Sequence, residues 1–470
     1  MKTLKHAGVI DIGKTNVKVA VVDLECEREV GVLTRPNRVL PGRPYPHYDI
    51  DGHWRFIRDA LTRLHLEHGI DALSVTTHGA CVVLLDADGN LAAPVLDYEF
   101  GGPDELASAY DAIRPDFGET GSPRLGMGLN AGAQIFWQFH TDPGLAERTA
   151  SVLTYPQYWT FRLTGVAANE VTSLGCHTDL WCPRDNRYSP LVERLGLSGK
   201  MPPVKRAADP PGTILPDVAR TTGLPEGLPV SCGIHDSNAS LYPHLLRRSA
   251  PFSVVSTGTW VIVLSIGGQA VSLDPDRDTL INVNAFGDPV PSARFMGGRE
   301  FEMILDGRER TCSAADIARV LEREIMLFPA VDPRSGPFQG REHHWSVDES
   351  TLSDGERYAA LSFYLALTTA ECLAMTGAEG AVLVEGPFSR NRLYLDMLQV
   401  ATGRTTEAAA GSLTGTSVGA ALLAARQRPA PETGGPRAEH PADPRLETYA
   451  SRWRQEVHRV DAKAGMGMSP

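Results

Sequence analysis

Val9, Ile10 and Ile12 form one β-branched run, and Val17, Val19, Val21 and Val22 form a second. Gly13, Lys14, Thr15 and Asn16 separate them. This pattern predicts two short strands joined by a tight polar turn, with Gly13 and Asn16 supplying the positive φ that tight hairpins use. The turn offers backbone N–H groups, a hydroxyl, an amide and an ammonium, which suits a phosphate. Asp11, just before it, is placed to hold the Mg²⁺ that travels with a nucleotide. An ordinary hairpin with a polar tip fits the same residues, since a lone Gly-containing turn is weak in specificity. The pattern returns at 253–267, where Ser256, Thr257, Gly258 and Thr259 lie between two apolar β runs. Two such units predict two lobes facing each other across a cleft, their turns gripping one nucleotide from opposite sides.

Between these units the periodicity alternates. Trp54, Ile57, Leu61 and Leu64 recur at helical spacing, and 72–76 and 81–86 read as strands. His78 and Gly79 fall in the connection between them. In an α/β fold ligand groups collect at strand ends, so His78 is a candidate substrate contact, and a structural histidine fits the position equally well. Asp97, Tyr98 and Glu99 follow at another strand end. Short helices are predicted over 131–140 and 155–164, the latter stopped by Gly165. Residues 200–229 are Pro-rich and irregular. Gly233, Ile234, His235 and Asp236 then precede a helix, and the lobe boundary is placed near here. Helices are expected near 313–327, 355–376, 390–402 and 416–426, with a β run at 381–385. Residues 428–444 read as a linker and 446–460 as a short terminal helix. The expected units are 1–240, 241–427 and a tail, 428–470, that is dispensable for chemistry.

Composition narrows the function classes. The 470 residues carry a net charge of −12, which argues against nucleic acid or an anionic membrane as the main partner. The seven cysteines are scattered and never form C-x-x-C, so neither a zinc site nor a disulfide framework is expected, and a reducing compartment fits. MKTLKHAG lacks a signal-peptide core, and no apolar run is read as approaching the ~20 residues of a membrane helix. A cytoplasmic location is the expectation.

Two motif tests are negative and one is a decoy. The chain has no G-x-x-x-x-G-K-[ST] and no H-E-x-x-H. Gly415-Thr416-Ser417-Val418-Gly419 matches the G-x-S-x-G nucleophile elbow, but the residues before it are not β-like, and close helix packing explains its small residues better. Asp236 is the candidate general base for an acceptor hydroxyl, with helix capping as its competing role. His78, Glu99 and His235 are candidates for binding a substrate's polar groups, and Lys14 with the turn amides offers positive charge to an anionic one.

Taken in order, these segments resemble the FGGY family of carbohydrate kinases. Asp11-Ile-Gly13-Lys14-Thr15-Asn16 resembles the first phosphate loop, usually D-x-G-T-x-S, so Lys14 is a departure. Pro156 through Gly165, with Thr172-Ser173, resembles the signature helix and its continuation. Gly233-Ile-His235-Asp236 resembles the catalytic segment. Ser256-Thr-Gly258-Thr259-Trp260 resembles the second phosphate loop. Glu385-Gly386-Pro387-Phe388, Asn391, Gln399 and 415–421 resemble the adenosine region, where glycines usually stand at 387 and 388. The resemblance implies an α/β, two-lobed, actin-like ATPase (ribonuclease H-like) fold with nucleotide and sugar in the cleft between lobes. It implies ATP and Mg²⁺, Gly386 and Asn391 near the nucleotide, and Gly79, His235 and Asp236 at the sugar. The His-Asp pair and the Gly-Thr-Trp loop look most like the rhamnulokinase and fuculokinase type of branch, although Asp97-Tyr98-Glu99 differs there. The implied activity is phosphorylation of a ketose (L-rhamnulose, L-fuculose or L-ribulose-like) or a related polyol; a homodimer is left open. The competing readings are an actin- or chaperone-like ATPase without an acceptor and a serine hydrolase at Ser417.

Overall fold

The computed structural model describes residues 4–409, 415–425 and 443–466, with side chains described through residue 459. The chain divides into two compact units. The first comprises Met1–Arg247, Ile281–Pro289 and Gly411–Pro431, and the second Arg248–Leu280, Val290–Ala410 and Glu432–Pro470. The division thus falls seven residues beyond the expected boundary, at the end of a helix rather than inside it. Two later segments return to the first unit.

The first unit is built on a seven-stranded sheet. Strands β1 (His6–Ile12), β2 (Asn16–Asp23) and β3 (Arg28–Pro36) form an antiparallel meander. Helix α1 (Ile50–His68) leads to β4 (Ala72–Thr77), which pairs with β1 in parallel. α1 begins on Asp49, whose carboxylate accepts from the Gly52 N–H, and stops at Gly69 with φ 74°. Next come α2 (Tyr155–Thr164), capped by left-handed Gly165 as its sequence predicts, then β5 (Asn169–Glu170) and α3 (Val171–Leu174). Strands β6 (Gly212–Thr213), β7 (Pro229–Val230) and β8 (Ile234–His235) precede α4 (Asp236–Arg247). The sheet order is β6-β7-β4-β1-β2-β3, with β8 also pairing with β4 in parallel. Ile10, Val17, Val19, Ile57, Leu61, Leu73 and Val75 are buried together on this sheet. The first hairpin is present, but no residue from 13 to 16 has a positive φ. The turn is closed instead by the Gly13 N–H donating to the Asn16 carbonyl at 2.9 Å.

The second unit repeats the arrangement. β9 (Phe252–Thr257) and β10 (Val261–Ile266) form a hairpin; β11 (Thr279–Val283) and β12 (Pro289–Phe295) follow, then helices α5 (Gly297–Leu305) and α6 (Asp354–Met375). β13 (Ala381–Glu385) pairs with β9 in parallel, α7 (Arg392–Thr402) returns, and β14 (Thr406–Ala408) pairs with β13 in parallel. The order β11-β12-β10-β9-β13-β14 places a parallel strand beside each hairpin, as β4 lies beside β1. α6 is long and apolar enough to match a membrane span, contrary to the sequence expectation, and 83% of its apolar window is buried within the protein.

The expected tail behaves differently from its prediction. Residues 428–442 lie outside the described residues, but α8 (Pro444–Met466) is part of the second unit's core. Trp453 is 1% exposed, and its indole N–H donates to the Leu327 carbonyl at 2.8 Å. Tyr449 donates its hydroxyl to the Ile325 carbonyl at 2.7 Å, and Arg454 pairs with buried Glu371. A helix with this buried face is not dispensable. Trp453→Ala should cost about 3–5 kcal/mol, by lost burial and the cavity left behind, read as a lower urea midpoint. A chain ending at residue 426 should lose the second unit's cooperative transition.

Candidate active site

The register of three parallel strands builds the first cluster. Ile12 of β1 and His235 of β8 are both opposite Thr77 of β4. The chain segments leaving β1, β4 and β8 therefore start at one level, at the carboxyl ends of the strands. They are the Gly13–Asn16 turn, the His78-Gly79 connection and the start of α4 at Asp236. The His78 N–H donates to the Ile12 carbonyl at 2.9 Å, tying two of them together.

His78 is buried among the rings of Tyr48, Tyr98 and Tyr155, with centroids 5.1–5.4 Å away. Its Nδ1 lies 2.8 Å from the Gly79 carbonyl oxygen, and its buried Nε2 has no hydrogen-bond partner. Burial holds its pKa below the usual histidine value. Gly79 is required by crowding: a Cβ there would lie 2.7 Å from Cys176 Sγ and 3.0 Å from His235 Nε2. His235 Nε2 is 3.1 Å from Asp236 Oδ1 and 3.4 Å from Cys176 Sγ, and Asn238 Nδ2 is 3.3 Å from its Nδ1. Burial lowers the His235 pKa to about 4, so the ring is neutral at pH 7.

Asp236 keeps a side-chain exposure of 30%, and burial pushes its carboxyl up to about 6, opposed by the nearby His78. Oδ1 accepts from the Ser237 N–H at 2.6 Å. The carboxylate thus holds the Ser237 N–H at the start of α4 and remains partly accessible.

Lys14 is not free to meet a phosphate. Its ammonium donates to Asp97 and pairs with Glu99 at 3.0 Å, 4.5 Å from the Tyr98 ring centroid. The lysine that the sequence offers to a phosphate is here paired with two carboxylates 83 and 85 residues away. Glu99 is half exposed, whereas Asp97 is buried and also accepts from the Tyr48 hydroxyl at 3.1 Å. The carbonyls of Thr15 and Asn16 are engaged: the Asn37 N–H donates to that of Thr15, and that of Asn16 closes the turn.

Asp11 Oδ2 accepts from Thr416 Oγ1 at 2.7 Å and Ser417 Oγ at 3.2 Å, and lies 3.3 Å from the Lys18 ammonium. Ser417 is fully buried and spends its proton on Asp11, which removes the nucleophile reading. The small residues serve packing, since a Cβ on Gly419 would fall 1.7 Å from the Ala239 carbonyl oxygen.

In the second unit a cavity of about 650 Å³ is lined by Gly258, Thr259, Gly298, Phe301, Phe388 and Asn391. Arg299, Arg310, Arg390 and Tyr358 also face it. Gly386 does not line it; with φ 78° it packs against Thr257, where a Cβ would lie 1.9 Å from the carbonyl oxygen. Asn391 caps α7, accepting from the Tyr394 N–H at 3.2 Å, and donates to Ser362 Oγ at 2.9 Å. Pro387 and Phe388 form part of the wall, with the Phe388 ring 5.7 Å from that of Phe301. Gly13 and Gly258 share one property. Neither has a positive φ, and a Cβ would meet only one atom, at 3.7 and 3.9 Å respectively. A Cβ would therefore fit at either place.

Sequence reasoning missed Asp97, Tyr98, Cys176 and Asn238 beside the acceptor cluster, and the three arginines of the cavity. Asp97 and Tyr98 stood next to a named candidate. The arginines sit in no motif.

Two family models cover most of the chain: the N-terminal domain of the FGGY family of carbohydrate kinases over residues 6–242, and the C-terminal domain of carbohydrate kinase FGGY over 249–432. L-fuculokinase of Salmonella typhi is 26% identical over 269 residues, 56% of this chain and 56% of that protein. The chain spans about half the length of the curated relatives it matches. A solved carbohydrate kinase from Novosphingobium aromaticivorans is 35% identical, with a TM-score of 0.90, over 98% of this chain and 100% of that one. Plasmodium falciparum glycerol kinase shares the fold at 13% identity and a TM-score of 0.76, over 100% and 99% of the two chains. The two-domain architecture is the actin-like ATPase fold. By its matched domains and its 35% identical structural relative, the chain belongs to the FGGY family of carbohydrate kinases.

Proposed function

We propose that the chain transfers the γ-phosphoryl group of ATP to a hydroxyl of a ketose or related polyol, with Asp236 taking up the hydroxyl proton. The observation that carries this reading is Asp236 itself. A partly accessible carboxylate raised to about 6, beside two neutral buried imidazoles, is ionised at pH 7 yet basic enough to accept a proton. The relative named L-fuculokinase supports an acceptor of the L-fuculose, L-rhamnulose or L-ribulose kind.

In this mechanism His78 Nε2, His235 and Glu99 hold hydroxyls, and Gly79 lets Cys176 and His235 pack close beside the strand end where the acceptor sits. Lys14 holds Asp97 and Glu99 in place and offsets their charge. The Thr15 and Thr259 backbone amides are the phosphate donors of this reading, the Gly13 and Gly258 N–H groups being spent on closing their own turns, and the Phe301–Tyr358 cavity with Asn391 and Gly386 nearby receives the nucleoside. Asp11 fits Mg²⁺ held through water, because among the described residues its hydrogen bonds all fall on Oδ2, leaving Oδ1 open. When bound, Mg²⁺ would offset phosphate charge. An ATPase without an acceptor would release ADP with no sugar present. A coupled ADP assay over ketoses and polyols separates the two, and release that no acceptor stimulates would refute the kinase reading.

Asp236→Asn retains the size and the hydrogen bond from Ser237 but not the basicity. Turnover should fall roughly 10²–10⁴-fold while calorimetric ATP affinity holds; near-normal turnover would remove Asp236 from the mechanism. The wild-type rate should rise with pH through about 6 as Asp236 loses its proton, and a profile flat from pH 5 to 7 would contradict the assignment. Gly258→Ala fits the fold, so its melting temperature should match wild type. If phosphate approaches that backbone, the added methyl should raise the KM for ATP by about 10–100-fold.

A further inference from the structure

Glu170 is the last residue of β5 and is fully buried, with no ion-pair partner among the described residues. Its carboxylate collects four donors from two neighbouring residues. Oε1 accepts from the Thr172 N–H at 2.8 Å. Oε2 accepts from Thr172 Oγ1 at 2.6 Å, the Ser173 N–H at 3.0 Å and Ser173 Oγ at 3.1 Å. The two amide bonds cap α3. The bond from the Thr172 hydroxyl adds nothing to that cap, and its consequence lies elsewhere.

A hydroxyl has one proton and two lone pairs. With its proton committed to Glu170, Thr172 Oγ1 can only accept from any other neighbour. That neighbour is the His235 N–H, 3.1 Å away. This amide sits at the junction of β8 and α4, one residue before Asp236. The His235 side chain is fixed as well, by Cys176 and Asn238. Main chain and ring of the residue preceding the proposed base are thus both held, and the main-chain hold runs back to a buried carboxyl.

We propose that Glu170 and Thr172 are a positioning pair for the His235–Asp236 segment: Glu170 orients the Thr172 hydroxyl, and Thr172 fixes the main chain that aims Asp236 at the acceptor. This rests on the kinase reading above. Burial raises the Glu170 carboxyl to about 7, and the four donors from Thr172 and Ser173 act against that rise.

Two substitutions separate positioning from capping. Thr172→Ser keeps the amide bonds and the hydroxyl. Thr172→Val keeps the shape and the amide bonds but leaves the His235 N–H without its acceptor. Thr172→Val should lower kcat by about 10–100-fold, the size of effect that small misplacements of reacting groups produce, while ATP affinity stays within about threefold of wild type. Thr172→Ser should stay within about threefold of wild type in both. Hydrogen exchange of the peptide spanning 231–240, followed by mass spectrometry, supplies a readout independent of activity. Its protection should drop in Thr172→Val and persist in Thr172→Ser. Equal impairment by both substitutions, unaltered exchange in Thr172→Val, or faster exchange with normal kcat would each overturn the proposal. A wild-type protein without acceptor-dependent ADP release would instead refute the kinase reading, and the exchange comparison would still decide whether Thr172 fixes the His235 amide.

Discussion

The parallel pairing of β4 with β1 on one side and β8 on the other is the constraint from which the first unit's chemistry follows. It levels Ile12, Thr77 and His235, so three connections open at one edge of the sheet. The register is pinned by burial. Val9, Ile10, Leu73, Val75 and Ile234 are fully buried, and a slip of one residue would turn each strand's side chains to the opposite face. Such a slip would separate His78 from the Ile12 carbonyl and His235 from Thr172. The second unit uses the same device: Ser256 of β9 lies opposite Glu385 of β13, which places the Gly258 turn and the Gly386 connection beside each other.

Burial then sets the protonation states that the geometry needs. Neutral His78 and His235 present lone pairs and N–H groups rather than charges. Asp236, less enclosed, remains a carboxylate at pH 7 while gaining basicity. The same desolvation that would be a liability for an isolated charge becomes a way of tuning one. Asp97 and Glu170 solve the problem differently. Asp97 is paired with a lysine and bonded to a tyrosine, and Glu170 is surrounded by four donors.

Local features were legible in the sequence because local physics produces them. The two hairpins follow from β-branched runs interrupted by small polar residues, and the end of α2 follows from Gly165. His78, Gly79, His235 and Asp236 were found because each lies where an apolar run stops. What stayed hidden depends on residues far apart. The partners of Lys14 are 83 and 85 residues away, and the Trp453 indole bonds a carbonyl 126 residues earlier. The terminal helix looked peripheral because Leu446, Tyr449, Trp453 and Val457 reveal a buried face only once Leu327 and α6 stand opposite. The positive φ expected at Gly13 failed for another reason. Glycine was read as a conformational requirement, whereas the turn is closed by its N–H bond to Asn16 without a positive φ.

Charge also constrains the acceptor. Around His78 and Tyr98 stand Asp97, Glu99 and Asp236, with Lys14 as the cation that acts on them. Lys18 is already shared between Asp11 and Glu29. Three carboxylates against one lysine leave an excess of negative charge, and the two histidines contribute none at pH 7. An anionic sugar acid entering this cluster would meet repulsion with no unengaged cation among the described residues to offset it. A neutral polyhydroxy compound meets acceptors at every carboxylate and an unpaired ring nitrogen at His78. On the proposed reading, Lys14 therefore holds Asp97 and Glu99 together and is itself engaged in doing so, which favours a neutral acceptor over an acid.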